Sequence, residues 1–287
     1  MSYGYRRAML TSWPSLKKRN FRKNVIDDLH YEVTLDLGSG KSRSYSGLIK
    51  IYLKLGDQIS YDPIIPMDIN FNIANGGKIK SVKIDGTFAK SNRDYKTLPH
   101  GLCVVLSTKN LSHRIDISFE SPFGMEGLHR IIDPVDKEIY VATPLNSFIL
   151  SNVMPCIDQP DISGSFKLQV VGRADWSVTS ATLLLRTRLN KPLRHFYFEE
   201  TIRYPAWQFS LFAGPYEKWI GPPPHDGKIP LVLFSRKSLS RVRIPQWYDL
   251  GFVLKHPKDF EYFRNRASGY LKAHPKISKR FKMFSPP

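Results

Sequence analysis

Residues 127–136 read GLHRIIDPVD, and residues 155–161 further along the chain read PCIDQPD. Each stretch contains a turn in which aspartate stands beside proline, at Asp133-Pro134 and at Pro160-Asp161. The proline ring locks φ, and the carboxylate can accept a hydrogen bond from a nearby backbone N–H. The segment between the turns, residues 140–154, carries few charges. We therefore predict that the two turns hold this segment in one defined place.

Strand-like patterns run through most of the sequence. In residues 31–37 and 49–55, apolar residues alternate with polar ones, which is the period of a strand with one buried face. Turn pairs such as Asn75-Gly76 and Asp85-Gly86 separate further apolar runs, and no strong helical period appears before residue 240. These features predict an all-β fold, a multi-stranded sandwich or saddle-like sheet assembly. The further predicted strands cover residues 67–73, 78–84, 102–106, 115–119, 165–171, 176–185, 196–203, 208–212 and 229–234.

Charge divides the chain into three parts. The net charge is +18; residues 1–26 contain seven Lys or Arg and no acid, and residues 255–287 contain nine against two acids. We predict a basic N-terminal arm or targeting segment at 1–26, a β domain at 27–239 and a basic C-terminal extension at 240–287. In this extension, the spacing of Phe260, Phe263, Ala267, Tyr270 and Leu271 predicts one amphipathic helix over residues 257–274.

Basic arms with interleaved aromatic residues, on a nearly neutral body, predict contact with an anionic partner. Another protein subunit, RNA or anionic lipid headgroups would each fit. The sequence has no run of 18 apolar residues, so no transmembrane segment is expected. The composition of residues 1–26 also fits a mitochondrial targeting segment, cleaved or retained, so we expect a mitochondrial location, with the cytoplasm as the alternative. The candidate contact residues are Arg6, Arg7, Lys17, Lys18, Arg19, Arg22, Lys23, Lys279, Arg280 and Lys282.

The two motifs resemble the N-terminal β domain of zinc aminopeptidases of the aminopeptidase N type. That family carries G-x-G-L-H-R-x-x-D-P-V-D, then a central strand ending in Gln-x-Glu, then P/A-C-F-D-Q-P-D; this chain has EGLHR at 126–130, DPVD at 133–136, YVAT at 140–143 and CIDQPD at 156–161. The resemblance extends more weakly from about residue 27 to about residue 239. It implies an all-β fold and an architectural role for Gly127, His129, Arg130, Asp133, Pro134, Asp136, Asp158, Gln159, Pro160 and Asp161.

The central strand departs from the family pattern. In the family, its Gln and Glu reach into the active site and hold the free amine of the substrate. This chain has Pro144 and Asn146 at those positions. Proline offers no side-chain hydrogen bond, and asparagine carries no charge to pair with an ammonium group. The resemblance therefore implies no substrate-binding residue here.

The family's metal site is also missing from the sequence. Neither the G-A-M-E-N loop nor H-E-x-x-H occurs, and no two of the eight histidines are four residues apart. A zinc aminopeptidase site needs two histidines one helical turn apart and a carboxylate. We therefore expect no metal, no other cofactor and no catalytic residue in this chain. We interpret the motif aspartates as turn caps, His129 as a structural hydrogen-bonding residue, and Cys103 and Cys156 as buried free thiols.

These features favour a non-catalytic structural subunit, a pseudoenzyme derived from an aminopeptidase N-terminal domain and tied by basic arms into a larger assembly. A second hypothesis is a truncated or split piece of an active zinc aminopeptidase that cleaves N-terminal residues from peptides, with its catalytic half on another polypeptide. A third, a peptide-binding module that reuses the substrate cleft, is disfavoured by Pro144.

Overall fold

The computed structural model of the chain describes residues 15–59, 63–124, 127–143, 150–220 and 232–239. The chain divides into two compact units between Pro215 and Tyr216. Several positions from the sequence analysis lie outside the described residues: the predicted helix over 257–274, Pro144, Asn146, Arg6, Arg7, Lys279, Arg280 and Lys282.

Strands dominate the described residues, together with two α-helices and three short 3₁₀ segments. The helices are α1 (Leu16–Val25) and α2 (Leu150–Val153), and the 3₁₀ segments are Asp57–Ile59, Ala206–Gln208 and Lys237–Leu239. The strands are β1 (Ile26–Asp36), β2 (Ser44–Leu55), β3 (Ile64–Asn70), β4 (Lys78–Ile84), β5 (Thr87–Phe88), β6 (Tyr95–Leu98), β7 (Gly101–Ser107), β8 (Ser112–Pro122), β9 (His129–Ile132), β10 (Ile139–Ala142), β11 (Ser163–Arg173), β12 (Ser177–Ser180), β13 (Leu184–Asn190), β14 (Leu193–Phe198), β15 (Tyr204–Pro205), β16 (Leu211–Gly214), β17 (Glu217–Ile220) and β18 (Val232–Ser235).

The first unit is built on a nine-stranded sheet with the order β13-β14-β11-β1-β2-β8-β4-β5, and β15 pairs with β11 at the side. Strand β1 lies between β2, its antiparallel neighbour in sequence, and β11, with which it runs parallel. On β1, Tyr31, Val33 and Leu35 are buried while the residues between them are partly exposed. The alternation seen in the sequence therefore places one face of the sheet on the core.

Two smaller sheets cover that core. A three-stranded sheet has the order β3-β7-β6 and a four-stranded sheet has the order β12-β16-β10-β9. Buried side chains from all three sheets form one hydrophobic cluster. Phe71 and Phe119, for example, meet edge to face with ring centroids 5.4 Å apart. Phe166 of β11 stacks on Tyr31 at 4.5 Å and on Tyr204 at 5.2 Å, which joins the centre of the large sheet to the segment around β15.

The second unit contributes one described pair of strands. Strands β17 and β18 pair antiparallel, with Glu217 opposite Ser235 and Lys218 opposite Phe234. The predicted strand at 229–234 therefore corresponds to β18, which begins at Val232.

Helix α1 was not predicted from the sequence. Half of its ten residues are basic, and only Arg22 and Val25 are buried, so there is no buried apolar stripe with helical spacing. Ser15 caps the helix by accepting a hydrogen bond from the Lys18 N–H at 3.4 Å. Arg22 and Lys23 lie in its last turn, where positive charge is favourable. Neither described helix is long and apolar enough to cross a membrane.

The all-β prediction is confirmed for the described residues, with some wrong boundaries. The predicted strand over 176–185 is two strands, β12 and β13, which belong to different sheets. The predicted strand over 196–203 ends at Phe198, and that over 208–212 begins only at Leu211, after the 3₁₀ segment. The residues wrongly included are mostly polar: Glu199 and Glu200 follow β14, and Gln208 and Ser210 precede β16.

We predict that Phe166→Ala lowers the free energy of unfolding by about 3–5 kcal/mol, because it leaves a cavity between two stacked tyrosines. Phe88→Ala is the matched control: Phe88 is 64% exposed and touches only the Lys83 ammonium among its described ring contacts. The control should cost about 1 kcal/mol or less. Urea unfolding followed by circular dichroism measures both, and equal losses would contradict this view of the core.

Candidate functional site

The first motif turn is organised by the buried carboxylate of Asp133. Its Oδ1 accepts hydrogen bonds from the backbone N–H groups of Val135 at 2.8 Å and Asp136 at 3.3 Å. Its own backbone pairs with Glu138 and Lys137, and Lys137 has a φ of 60°. Pro134 follows directly, with its fixed φ. The turn between β9 and β10 is thus held by a carboxylate that is only 2% exposed.

Asp136 fixes the start of β10. One of its carboxylate oxygens accepts from the Glu138 N–H at 2.8 Å, and the other accepts from the Tyr140 hydroxyl at 2.8 Å. The Glu138 side chain in turn accepts from Arg173 at 3.0 Å, which connects the turn to the end of β11. The carboxylates of this turn are therefore engaged in holding the backbone and neighbouring side chains.

The start of the first motif is packed against α2. A Cβ on Gly127 would lie 2.6 Å from the carbonyl oxygen of Asn152, so only glycine allows this approach. Arg130 donates from Nε to the Gly40 carbonyl and from Nη2 to the Lys41 carbonyl, which connects β9 to the turn between β1 and β2. His129 lies on β9 opposite Ala142.

The second motif crosses the core as extended backbone. Cys156 exchanges two backbone hydrogen bonds with Asn70, at 2.8 and 2.9 Å, at the end of β3. The next N–H, that of Ile157, donates to the hydroxyl of Tyr31 at 3.0 Å. Burial raises the pKa of this tyrosine well above its ordinary value, so the hydroxyl stays neutral. Cys156 is a buried free thiol as predicted, whereas Cys103 is free but only partly buried.

The aspartate of the second motif lies deep in the same region. Asp158 Oδ2 accepts from the Ser151 N–H at 3.0 Å, and the Asp158 N–H donates to Asn70 Oδ1 at 3.3 Å. Burial raises the pKa of Asp158 above its ordinary value. Its Oδ1 is buried and has no hydrogen-bond donor among the described residues. The Nε–H of Arg22 is also buried, and it has no acceptor among the described residues.

Helix α1 is attached to this motif by hydrogen bonds. Gln159 is 2% exposed and donates from Nε2 to the carbonyl of Arg19 at 3.0 Å and to Asp161 Oδ1 at 2.9 Å. Arg22 is also 2% exposed and donates to Asn70 Oδ1 at 2.7 Å. Pro160 stands between the two polar residues of the turn. The motif therefore binds the end of the N-terminal basic segment into the β domain.

The other predicted anion-contact residues in the described part lie on α1. Lys18 pairs with Asp68 at 2.7 Å, and Lys23 pairs with Asp161 at 3.4 Å. Lys17 is exposed and Arg19 is partly buried. Arg22 differs from these because its guanidinium faces Asn70 inside the fold. A role for the exposed residues in binding an external anion stays a prediction.

The described residues provide no built metal site: no group of three or more His, Cys, Asp or Glu side chains among them could hold an ion. The histidine spacing in the whole sequence also does not fit a zinc ligand set. The motif carboxylates instead accept backbone and side-chain hydrogen bonds. Sequence reasoning missed Tyr31, Asn70 and Ser151, which accept from or donate to the second motif, because each stands far from it in the sequence and carries no motif of its own.

A multi-sheet β domain whose motif turns frame the strand leading to residue 143 is the architecture of an aminopeptidase N-terminal domain. Residues 27–207 match the Peptidase M1 N-terminal domain, and this chain belongs to that family.

Individual relatives agree with this assignment. Aminopeptidase N of Streptomyces lividans is 31% identical over 116 residues, which is 40% of this chain and 13% of the relative. Probable aminopeptidase 2 of Sulfurisphaera tokodaii is 27% identical over 66% of this chain and 22% of the relative. The chain thus matches under a quarter of these relatives' length. The M1 zinc metallopeptidase of Deinococcus radiodurans has a similar fold, with a TM-score of 0.59 and 14% identity over 81% of this chain and 52% of that one.

We predict that Asn70→Ala lowers the free energy of unfolding by about 3 kcal/mol. The change removes the acceptor of two buried donors, the Arg22 guanidinium and the Asp158 N–H, and leaves both unpaired. Asn20→Ala on the exposed face of α1 is the matched control and should change stability by about 0.5 kcal/mol or less. Denaturant titration of both variants measures the difference. A small loss for Asn70→Ala would show that the junction contributes little.

We predict that Asp158→Asn flattens the pH dependence of stability. Because burial raises the folded-state pKa of Asp158, its contribution is fully present below the unfolded-state pKa and is lost as pH rises through the folded-state value. The variant should therefore gain stability relative to the native chain as pH rises. Asp94→Asn should behave oppositely, because the Arg93 hydrogen bond lowers the Asp94 pKa to about 2. Urea midpoints from acidic to neutral pH test both signs.

Proposed function

We propose that this chain is a non-catalytic structural subunit that keeps the M1 N-terminal frame for its shape and is tied into a larger, mitochondrial assembly by its basic arms. One combination carries the proposal: the two motif turns are kept, but the residues at the family's two substrate-binding positions are different. Asp133, Asp136, Asp158 and Gln159 all engage in internal hydrogen bonds that hold the frame. The resemblance places Pro144 at a position where the family uses a polar side chain.

The substitutions at these positions remove the chemistry that would hold a peptide's amino terminus. An ammonium group is held by charge-assisted hydrogen bonds, which are roughly twice as strong as neutral ones. Pro144 has no hydrogen-bonding side chain, and Asn146 has no charge. A domain with these residues at the two substrate-binding positions would have a structural role and would not bind the amino group of a peptide.

The distribution of charge supports attachment to an anionic surface. Residues 1–26 carry seven Lys or Arg without an acid, and the last 33 residues carry nine against two. Helix α1 anchors the first of these segments on the β domain through Arg22 and Gln159. The exposed positive charge of Lys17 on α1 is therefore held on a rigid body, which favours docking over loose attraction.

A split or truncated active zinc aminopeptidase is the second candidate. The chain matches only 13% and 22% of the length of two aminopeptidase relatives, and the matching family is an N-terminal domain. A catalytic half on another polypeptide would complete such an enzyme. In that case, the companion would carry the H-E-x-x-H motif that these 287 residues do not contain.

We predict that partners co-purify with the native chain and dissociate as salt rises, because screening weakens contacts between exposed charges. Replacing Arg6, Arg7, Lys279, Arg280 and Lys282 with glutamine should lower the recovery of partners roughly tenfold, at about 0.2–1 kcal/mol for each exposed contact. Replacing the exposed body residues Lys41, Arg43 and Lys109 with glutamine is the control and should leave recovery unchanged. Partners retained in full by the first variant would contradict the arm-based attachment.

The two candidates differ in one measurable activity. The native, co-purified material is assayed for release of N-terminal residues from a peptide, with and without a chelator. The structural-subunit proposal expects no activity that tracks this chain through fractionation. Chelator-sensitive activity that follows the chain would instead establish the split-enzyme candidate.

A further inference from the structure

Strand β13 forms one end of the nine-stranded sheet, and β14 is its only partner among the described strands. All seven β13 residues are exposed. Among them, Leu184, Leu185 and Leu189 are 43, 60 and 50% exposed. An end strand with unpaired backbone groups and exposed leucines is a template on which another strand can pair.

The register of the hairpin assigns these side chains to faces. Leu184 lies opposite Phe198 and Thr187 lies opposite Phe196, and both phenylalanines are buried. Residues directly opposite each other share a face of the sheet. Leu184, Thr187 and Leu189 therefore extend the core face beyond the point where the core itself ends. A partner strand on this edge would gain apolar contacts in addition to backbone hydrogen bonds.

The other face of β13 is basic. Arg186 and Arg188 lie opposite Tyr197 and His195, and the Arg186 guanidinium is 4.4 Å from the centroid of the Tyr197 ring. Residues 184–198 contain four Lys or Arg and no Asp or Glu. On the core face, Arg194 lies opposite Leu189, and its Nε is buried without an acceptor among the described residues. The face of the edge strand that carries Arg186 and Arg188 therefore attracts negative charge, whereas its core face is apolar apart from Thr187.

The positive charge of β13 disfavours two alternative occupants of this edge, a second copy of the chain and the chain's own terminal segments. In an antiparallel pair formed with a second copy of this chain, the arginines of the two β13 strands would face each other, and like charges across a strand pair are destabilising. The basic terminal segments of the chain itself would be repelled in the same way. The occupant that fits this edge is an extended protein segment that contains both acidic and apolar residues.

We propose that β13 is a docking edge for an extended segment of another protein in which acidic and apolar residues alternate. The segment continues the sheet beyond β13, its apolar side chains cover Leu184 and Leu189, and its carboxylates pair with Arg186 and Arg188. This surface contains no residue of the basic arms, so the inference does not depend on how the arms attach.

The probe is a labelled peptide of about nine residues that alternates glutamate and valine, titrated with the full chain and followed by fluorescence anisotropy. Arg186→Glu combined with Arg188→Glu should weaken binding about tenfold or more. Lys41→Glu combined with Arg43→Glu changes the net charge equally at an exposed turn and should leave the affinity within about twofold. Circular dichroism checks that both double variants keep the fold.

A second peptide with N-methyl groups on every residue separates strand pairing from simple charge attraction. It keeps every carboxylate but has no backbone N–H donor on either edge, so its binding should be lost. The proposal is overturned if this peptide binds as well as the parent, if the arginine reversals leave affinity unchanged, or if no binding appears at millimolar peptide. Binding of single-stranded RNA alone at this edge, or dimerisation of the chain through it, would also overturn the proposal.

Discussion

The backbone of residues 156–158 runs through the core, and burial forces each of its N–H groups to find an acceptor inside the protein. Three acceptors from two distant strands meet this demand: the Asn70 carbonyl, the Tyr31 hydroxyl and the Asn70 side-chain oxygen. Because the same side-chain oxygen accepts from Arg22, the N-terminal helix is included in the arrangement. The relative positions of β1, β3, α1 and α2 thus follow from how one short segment is hydrogen-bonded.

The overall fold could be predicted from the sequence because burial leaves a period of two on long strands such as β1, β2 and β8. Helix α1 could not, since its stability comes from contacts with Asn70 and Gln159 rather than from an apolar stripe. The boundary between β12 and β13 could not be predicted from the sequence either. The leucines that begin β13 are exposed, so their apolar character does not mark a core position.

The sequence predicted that the motif aspartates cap turns, but it did not predict which distant residues form hydrogen bonds with the motifs. An aspartate followed by proline indicates a cap, and Asp133 accepts two backbone N–H groups as such a residue can. The sequence around Asp158 does not indicate that its carboxylate accepts a hydrogen bond from the Ser151 N–H. It also does not indicate that burial raises the pKa of this carboxyl. Those properties arise only when segments from separate parts of the chain come together. The family resemblance supplied the architectural role, and the folded structure supplies the atoms that perform it.

The parallel pairing of β1 with β11 has a consequence for synthesis on the ribosome. His30 and Ser165 are neighbours in the sheet although 135 residues separate them. While the chain emerges, β1 can pair with β2, but its other edge stays open until β11 has left the exit tunnel. Such long-range pairing is slow, and an open apolar edge invites association with other nascent chains. Premature termination before residue 163 would leave this edge permanently exposed and would make the product a substrate for chaperones or proteases.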